Sequence, residues 1–326
     1  MFGSGKRTVR LALVAVLGLV AAACSASGGQ QSTNSASTQT HFKFAMVTHA
    51  PAGDTFFDII RKGASAAAAK DNVSYTYSND GDPTKQSVLI QSAIDSKVEG
   101  IAVADPAPAA LNPVIKKAVD AGIPVVMFNA GFNNWPDSGA LMYFGQDESL
   151  AGQQAGARLT QEGAKHVLCV EQAQGQVQLE ARCNGVAQGF TAGSTEKLYV
   201  NGTDPTAVRT TISAKLQQDK SIDYIITLGA PIALVAVQAI KDAGSSSKLV
   251  TFDTNAALVS AVQSGQVLWA VDQQPFLQGY EAIDALWLYK TNRNLLGGGR
   301  AVLTGPSFID KNNIAAVAGL AKAGTR

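Results

Sequence analysis

Short acids, amides and aromatic rings stand just after several runs of the sequence that are predicted to be β-strands. The residues concerned are His49, Asp54, Phe56, Phe57, Asp105, Asn129, Asp253 and Gln273. Carboxylates accept hydrogen bonds, amides both donate and accept them, and flat rings cover C–H surfaces. Together these groups match the hydroxyls and ring faces of a neutral polyhydroxylated ligand.

A purely structural interpretation competes at each position, because acids and amides after a strand are the commonest helix caps and turn residues. Their recurrence at many strand ends, with aromatic rings between them, favours binding. Adjacent helical positions point about 100° apart, so Phe56 and Phe57 are not expected to face one core stripe together. One should anchor the helix and the other should line the site, and the sequence leaves open which does so.

The same inventory does not favour an enzyme. The chain has three histidines, of which His41 and His166 fall before or within predicted strands. No spacing predicts a metal site or a Ser-His-Asp arrangement, so no metal or cofactor is expected. His49 alone lies at the predicted site, where it serves equally well as a hydrogen-bond partner or as a base.

Apolar and β-branched runs alternate with helical patterns along the chain, which is typical of βαβ units and parallel sheets. Ten strands are predicted, at residues 42–48, 74–78, 100–104, 124–128, 141–145, 166–170, 197–200, 224–228, 248–252 and 268–271. A break near residues 141–148 divides them into two comparable sets. The predicted fold is α/β, with two doubly wound parallel-sheet lobes and a ligand cleft at the carboxyl ends of their strands.

The N-terminus predicts an export signal over residues 1–23. Three cations, Lys6, Arg7 and Arg10, precede an apolar run and three alanines. That run is too short for a stable membrane span. Cys24 directly after the small residues resembles a lipobox and predicts lipid attachment to the extracytoplasmic face of the cell membrane. An ordinary secretory signal with an incidental cysteine is the alternative. Residues 24–41 then form a polar, flexible tether.

Charge and cysteine content narrow the possibilities further. The formal net charge is +1, and removal of residues 1–23, which carry three cations and no acid, changes it to −2. This balance argues against a nucleic-acid partner. Cys169 and Cys183 remain in a compartment where disulfides persist, and we expect them to pair. Two buried free thiols are the alternative.

Several sequence blocks carry a family resemblance. They are residues 42–63, Asp82-Pro83-Thr84-Lys85-Gln86, residues 100–106, Ala121-Gly122-Ile123-Pro124-Val125-Val126 and Val250-Thr251-Phe252-Asp253. In order and spacing they resemble the periplasmic sugar-binding proteins of ribose-binding type, the type I solute-binding proteins of ABC importers. The resemblance covers nearly the whole chain from about residue 42. It implies sugar contacts by Asp54, Phe56 or Phe57, Asp105, Asn129, Asp253 and Gln273, and it implies that Arg182 is the ligand-binding arginine.

Three positions depart from the family pattern. Asn129-Ala130 replaces a common Asp-Arg pair, and Gly229 replaces an asparagine at a strand end. Arg182 lies two residues farther from Gly189-Phe190 than the ribose-type spacing, so Asn184 is an alternative candidate for its role. The altered donor set argues against D-ribose and fits another pentose, a hexose or a sugar alcohol better.

The resemblance also implies how the chain is organised and what it does. The N-terminal lobe would comprise residues 42–145 and 274–302, and the C-terminal lobe residues 146–273 and 303–326. Crossings near residues 144–147, 273–275 and 299–303 would form the hinge. The expected function is that of a monomeric binding protein that delivers a small sugar or polyol to an ABC importer permease.

Two other classes of protein share features with this sequence. A sensor that presents a sugar-like signal to a membrane receptor remains an alternative. A transcriptional repressor shares this two-lobed core but needs an N-terminal helix-turn-helix, where this chain has an export signal.

Overall fold

The structure is a computed structural model that describes residues 41–51 and 53–326. The predicted signal segment, the predicted lipidation residue Cys24 and, apart from His41, the predicted tether lie outside the described residues. Within the described part of the chain, no helix combines the length and apolar character that a membrane crossing requires.

Strands and helices alternate through the described residues, with a 3₁₀ turn at Leu296–Gly299. The strands are β1 (Lys43–Thr48), β2 (Ser74–Asn79), β3 (Gly100–Val103), β4 (Val125–Phe128), β5 (Met142–Gly145), β6 (His166–Glu171), β7 (Ser194–Tyr199), β8 (Tyr224–Thr227), β9 (Lys248–Phe252), β10 (Trp269–Asp272), β11 (Val302–Leu303) and β12 (Ser307–Asp310). The helices are α1 (Thr55–Asp71), α2 (Pro83–Asp95), α3 (Pro108–Asp120), α4 (Trp135–Ser138), α5 (Glu148–Gln161), α6 (Val177–Gly189), α7 (Pro205–Gln218), α8 (Ala230–Asp242), α9 (Ala256–Gln263), α10 (Pro275–Asn292) and α11 (Ile314–Ala323).

The strands of the described residues form two six-stranded sheets, ordered β11-β5-β4-β3-β1-β2 and β12-β10-β9-β8-β6-β7. All neighbours pair in parallel except β12, which is antiparallel to β10. In β1, Phe44 and Met46 enter one buried cluster while Ala45 and Val47 enter another, so the sheet is covered on both faces. This arrangement confirms the predicted fold class.

All ten predicted strands are present, with ends that differ by up to three residues. Strands β11 and β12 were not among the ten. Strand β11 has only two residues, and the short sequence of β12, Ser307-Phe308-Ile309-Asp310, follows Gly305-Pro306 and shows no β-branched run. Such an edge strand gains its structure from antiparallel pairing with β10 rather than from local propensity. Sequence pattern therefore identified the sheet interiors better than their margins.

The chain passes between the sheets three times. It leaves the first sheet after β5, returns after β10 and leaves again between Leu303 and Ser307. The last crossing lies beyond the predicted residues 299–303, because Val302 and Leu303 still pair with β5. Helix α10 packs closely on α1, where a Cβ on Gly63 would collide with the carbonyl oxygen of Phe276.

The predicted disulfide between Cys169 and Cys183 is present, which confirms that expectation. Cys169 lies on β6 and Cys183 on α6, with their Cα atoms 5.9 Å apart. The bond therefore fixes helix α6 to the strand that precedes it, and α6 is the helix that carries Arg182.

Candidate functional site

A cavity of about 440 Å³ lies between the carboxyl ends of the two sets of strands. Parallel α/β sheets place ligands at this position, because the loops there are free to vary while the strands hold them in register. Eight of the nine residues predicted to bind ligand line the cavity, and Asp105 does not.

Asp105 is fully buried at the end of β3. Its Oδ1 accepts a hydrogen bond from Ala107 N at 3.1 Å, while its Oδ2 has no protein partner among the described residues. Burial raises the pKa of this carboxyl to about 7. The adjacent Pro106 O accepts a hydrogen bond from Val177 N of the other lobe at 3.0 Å. Asp105 thus lies beside an interlobe contact, and a direct contact with ligand stays a prediction.

The first-lobe wall of the cavity consists of His49, Asp54, Phe56 and Phe57, all at the junction of β1 and α1. Phe57 is only 5% exposed and belongs to the core cluster of Phe44 and Met46. Its ring meets the edges of His49 and Phe56, with centroid distances of 5.0 and 5.4 Å.

Phe56 and Phe57 both line the cavity, contrary to the expectation that only one would. The two residues lie in the first turn of α1, and the cavity lies off the end of that helix rather than beside it. Side chains that point in different directions around the helix axis can therefore border the same space.

Asp54 both caps a helix and borders the cavity. Its Oδ1 accepts hydrogen bonds from Phe56 N at 2.8 Å and Phe57 N at 3.4 Å, so it caps α1. It also lines the cavity, and burial raises the pKa of its carboxyl. Asp54 can therefore cap α1 and border the cavity at the same time, because the N-terminus of α1 lies at the cavity.

The second-lobe wall includes Arg182 and Asp253, and Arg182 is held there by a buried ion pair with Glu148, which does not itself line the cavity. Arg182 Nε donates to Glu148 Oε2 at 2.6 Å, and Nη2 donates to Oε1 at 3.0 Å. Both side chains are only 3% exposed. Burial alone lowers the pKa of Arg182, but Glu148 and Asp253 outweigh that effect and raise it above the ordinary value. The guanidinium is therefore a permanent positive charge, held in place by a two-point contact.

Sequence reasoning missed Glu148. It begins α5, where an acid is favoured by the helix dipole whether or not it binds anything, so its pattern gave no functional signal. It stands within the first crossing between lobes, next to Gln146, whose Nε2 donates to Glu148 Oε2 at 2.8 Å. The signal that could have identified Glu148 was its position: it is an acid next to a predicted hinge, in a protein with a predicted ligand-binding arginine.

The choice between Arg182 and Asn184 is decided by the direction of their side chains. Arg182 lines the cavity, and its Nη1 donates to Leu228 O at 3.0 Å. Asn184 is exposed, and its Oδ1 accepts a hydrogen bond from Lys197 Nζ at 3.1 Å. Two positions apart on a helix, the side chains point in nearly opposite directions.

Asp253 is the acid of the second-lobe wall whose carboxylate retains free positions for accepting hydrogen bonds. Gln273 Nε2 donates to its Oδ1 at 2.7 Å, and Arg182 Nη1 lies 3.5 Å from its Oδ2. Burial raises the pKa of Asp253 to about 7, against the opposing effect of Arg182. Helix α9 is capped instead by Asn255, whose Oδ1 accepts from Leu258 N at 2.8 Å. Asp253 is not the cap of that helix.

Polar contacts join the lobes at the base of the cavity. Asn129 Nδ2 lies 3.4 Å from Gln273 Oε1 and 3.2 Å from Gln278 Oε1. Because Gln273 also bonds Asp253, a chain of hydrogen bonds runs from the first lobe to Asp253, which lies beside the ion pair of the second. A ligand that completes this chain would stabilise the closed arrangement of the lobes.

His49 also reaches the other lobe. Its Nε2 lies 3.1 Å from Gln178 Nε2 on α6. Since that amide nitrogen is a donor, His49 Nε2 accepts and its proton is on Nδ1. Burial, together with the charge of Arg182, lowers the pKa of His49 to about 3. His49 is therefore neutral over the physiological range.

A cluster of metal-ligating side chains in the described residues, His166, Glu196 and Asp219, lies away from the cavity. His166 begins β6, whereas the cavity adjoins the other end of that strand. Lys215 Nζ lies 2.7 Å from Glu196 Oε2 and already supplies a positive charge there. This cluster is an ion-pair group of the surface.

The chain resembles several known proteins. It is 65% identical to a carbohydrate transporter from Acidothermus cellulolyticus 11B, solved in complex with myo-inositol, with a TM-score of 0.87 over 88% of this chain and 100% of that one. It is 27% identical over 260 residues to a D-ribose/D-allose-binding protein of Pseudomonas aeruginosa, covering 74% of this chain and 79% of the relative.

A xylose/arabinose-binding protein of Sulfolobus acidocaldarius is 24% identical over 260 residues, or 74% of this chain. The match spans 64% of that relative's length. These relatives are described as binding or transport proteins, which does not favour the sensor alternative.

The model of the periplasmic binding protein domain matches residues 44–294, which include strands β2 to β10, nearly all of β1 and every residue that lines the cavity. The match agrees with the two parallel sheets, the three crossings and the position of the cavity between the lobes. The chain therefore belongs to the periplasmic binding protein family, in its type I fold.

Proposed function

We propose that the protein is an extracytoplasmic solute-binding lipoprotein that captures a small neutral sugar or cyclic polyol and delivers it to an ABC importer. The observation that carries the proposal is the cavity itself, with an aromatic first-lobe wall facing a charged, hydrogen-bonded second-lobe wall. Rings and carboxylates opposed in this way suit a molecule with apolar faces and a rim of hydroxyls.

A neutral ligand fits the charge of the second-lobe wall. Arg182 is already paired with Glu148 at two points, so its charge is not free to bind an anion. Asp253 has only one amide donor at hydrogen-bonding distance and a longer contact with the arginine. Ligand hydroxyls can donate to the remaining lone pairs of Asp253 without bringing another charge into the site.

Within this class, myo-inositol is the first candidate. The support is the 65% identity to the Acidothermus cellulolyticus protein solved with that compound. The departures from the ribose-type pattern at Asn129-Ala130 and Gly229 are compatible with this candidate, since they remove a guanidinium and an amide from the donor set and so argue against D-ribose.

The lobes are proposed to close around the ligand about the three crossings. Contacts such as His49 with Gln178 and Asn129 with Gln273 join the lobes in the described arrangement. A ligand held by both walls has a higher affinity for the closed state and so increases its population. Small-angle scattering should show a smaller radius of gyration with saturating ligand than without.

Membrane attachment is proposed to depend on Cys24, and the folded body is proposed to be monomeric. A single acyl chain binds membranes only marginally, whereas two or more hold a protein stably. Replacement of Cys24 by serine should release the protein from the membrane fraction. Continued membrane association of that variant would contradict the anchor.

The direct test of the proposed function is binding by the body from residue 41 onward. Thermal shift and calorimetry should compare myo-inositol with D-ribose, D-xylose, L-arabinose and D-galactose. A ligand at a hundredfold excess over its Kd stabilises the fold by about 2.7 kcal/mol. Nuclear magnetic resonance of the recovered ligand should show it unchanged. Conversion to product, or no binding by any member of the panel, would refute the proposal.

A further inference from the structure

Residues 323–326 lie beside the second crossing between the lobes, which follows β10. Strand β12 is antiparallel to β10, so that Asp310, the last residue of β12, pairs with Trp269 at the start of β10. Helix α11 follows β12 and runs back towards the end of β10. Residues 323–326 are therefore brought to the point where the chain returns to the first lobe.

Arg326 supplies a positive charge to the last residue of β10. Asp272 is fully buried, and Arg326 Nη2 lies 2.6 Å from its Oδ2. Burial raises the pKa of Asp272, and the charge of Arg326 opposes that effect. Thr254 Oγ1 donates to Asp272 Oδ1 at 3.5 Å, and Gln273 is the next residue in the chain. Arg326 does not line the cavity, yet its ion-pair partner adjoins two residues that do.

The same guanidinium contacts the residue at which the chain turns into the first lobe. Gln274 has a φ of 55°, in a left-handed region that a residue other than glycine occupies only when its surroundings hold it there. Arg326 Nη1 donates to Gln274 Oε1 at 3.2 Å, and Gln274 Nε2 donates to Thr304 O at 2.7 Å. Thr304 lies in the third crossing. Arg326 therefore holds the second crossing directly and the third through Gln274.

Residues 323–326 also contact the first lobe. Lys62 on α1 donates from Nζ to Ala323 O at 2.8 Å. Ala323 is the last residue of α11, and the carbonyl groups at a helix C-terminus favour a cation. Both residues are exposed and lie outside the cavity lining. With the contacts of Arg326, this hydrogen bond makes residues 323–326 a non-covalent connection between the lobes, in addition to the three crossings.

Two contacts of the same kinds stay within the second lobe. Arg158 Nη2 lies 2.9 Å from Asp310 Oδ2, and its side chain is 26% exposed, close to the 23% of Arg326. Lys220 Nζ donates to Ala243 O, at the C-terminal end of α8, at 3.4 Å. Neither Arg158 nor Lys220 lines the cavity, so the two contacts provide matched comparisons.

We propose that Arg326 and Lys62 are positioning residues for ligand binding, and that residues 323–326 hold the lobes in the arrangement that the ligand requires. The inference rests on the proposed function, in which both walls hold one ligand. Arg326 keeps the neighbouring cavity residues in place through Asp272, and Lys62 adds a contact between the lobes. Ligand affinity falls in proportion to the population of the binding-competent arrangement, so loss of either residue weakens binding although neither touches the ligand.

The test is calorimetric titration of the chain from residue 25 onward, with the tightest binder among myo-inositol, D-ribose, D-xylose, L-arabinose and D-galactose. Arg326→Gln should weaken binding by about tenfold, and Arg326→Lys, which keeps the charge but not the two-armed geometry, should weaken it less. Lys62→Met should weaken binding by about threefold. The matched controls Arg158→Gln and Lys220→Met should change affinity by less than about twofold, whatever their effect on stability.

Equal affinity in a variant and its matched control would overturn the positioning role of that residue. Circular dichroism shows which variants are folded, and if Arg326→Gln is unfolded, the comparison of Arg326→Lys with Arg158→Gln decides the role of Arg326. If no compound binds the unaltered protein, the proposed function fails, and small-angle scattering of the ligand-free proteins decides the connection between the lobes. A larger radius of gyration in Lys62→Met than in Lys220→Met then supports the connection, and equal radii overturn it.

Discussion

The two walls of the cavity are held in place by different forces. The first-lobe wall rests on apolar packing, since Phe57 belongs to the same buried cluster as Phe44 and Met46. The second-lobe wall rests on charge, since Arg182 and Glu148 are buried and satisfy each other at two points. Apolar packing fixes a shape at little electrostatic cost, whereas a buried ion pair must offset its own desolvation.

This difference predicts which feature of the ligand each wall recognises. The first-lobe wall offers few free charges, because Oδ1 of Asp54 is occupied in capping α1 and His49, whose pKa is lowered to about 3, is uncharged. The second-lobe wall contains one more carboxylate than Arg182 can pair at two points, and that carboxylate is Asp253. Shape selection belongs to the first wall, and hydroxyl recognition belongs to the second.

The largest expected effect comes from breaking the ion pair. Glu148→Gln removes the two-point partner of Arg182 and leaves a buried guanidinium charge, which costs about 3 to 5 kcal/mol of unfolding free energy. Urea denaturation without ligand measures it. Asp242→Asn is the matched control, because Arg209 and Asp242 form a similar two-point contact that is exposed, and little change is expected there. Equal effects in the two variants would contradict the role assigned to burial.

The aromatic residues of the first-lobe wall should separate stability from affinity. Phe57→Ala should cost about 3 to 5 kcal/mol of unfolding free energy, because a buried ring is removed from the core. Phe56→Ala should change stability far less, because Phe56 is only half-buried, and should weaken ligand binding by about 1 kcal/mol, or roughly fivefold. A larger stability loss in Phe56→Ala than in Phe57→Ala would reverse this assignment.

Asp253→Ala should act on affinity rather than on stability. Its removal leaves the hydroxyls of the bound ligand and the amide of Gln273 without their acceptor, which costs about 2 to 5 kcal/mol, or roughly thirtyfold to several thousandfold in Kd. The control is Asn255→Ala, which removes the cap of α9 and should lower stability by about 1 kcal/mol while affinity changes little. Calorimetry and thermal melting of both variants test this pair, and unchanged affinity in Asp253→Ala would remove it from the site.

Much of this arrangement was predictable because it depends on local pattern. Strands β1 to β10 are marked by apolar runs and by polar residues at their ends, and parallel sheets bring those ends together. The disulfide was expected from the predicted export signal and from the two cysteines that follow it in the folded part of the chain. Position relative to a strand end was therefore enough to place seven of the eight residues predicted on that ground at the cavity, whereas Arg182, on a helix, followed from the family resemblance.

The features of the site that the sequence did not predict depend on how segments far apart in the sequence meet in the fold. Glu148 meets Arg182 across 34 positions of sequence, and nothing local distinguishes it from an ordinary first-turn acid. Phe56 and Phe57 both border the cavity because α1 points into it, which no periodicity of α1 reveals. Asp105 has the right position after its strand, yet its Oδ1 is used by the backbone of Ala107.

The last expected effect is a difference in pH dependence between the walls. Burial raises the pKa of Asp253 from 3.8 to about 7, so between about pH 4 and 7 the folded, ligand-free protein holds a proton that the unfolded chain has lost. Its contribution to stability therefore falls as pH rises through that window. The pKa of His49 is lowered from 6.5 to about 3, so the unfolded chain binds a proton that the folded protein does not. Its contribution rises between about pH 3 and 6.5. Each slope is at most about 1.4 kcal/mol per pH unit.

Two substitutions separate these opposing slopes. Asp253→Asn should gain stability over the unaltered protein as pH rises from about 4 to 7, and His49→Gln should gain most near pH 4 and lose that advantage by about pH 6.5. Urea denaturation of the ligand-free proteins between pH 4 and 8 measures both differences. Asp105, whose pKa is raised to about 7 as well, is present in every protein compared and cancels in each difference. A gain that does not vary with pH would mean that the substituted group titrates alike in the folded and unfolded states, and the opposite pH dependence expected of the two walls would then be wrong.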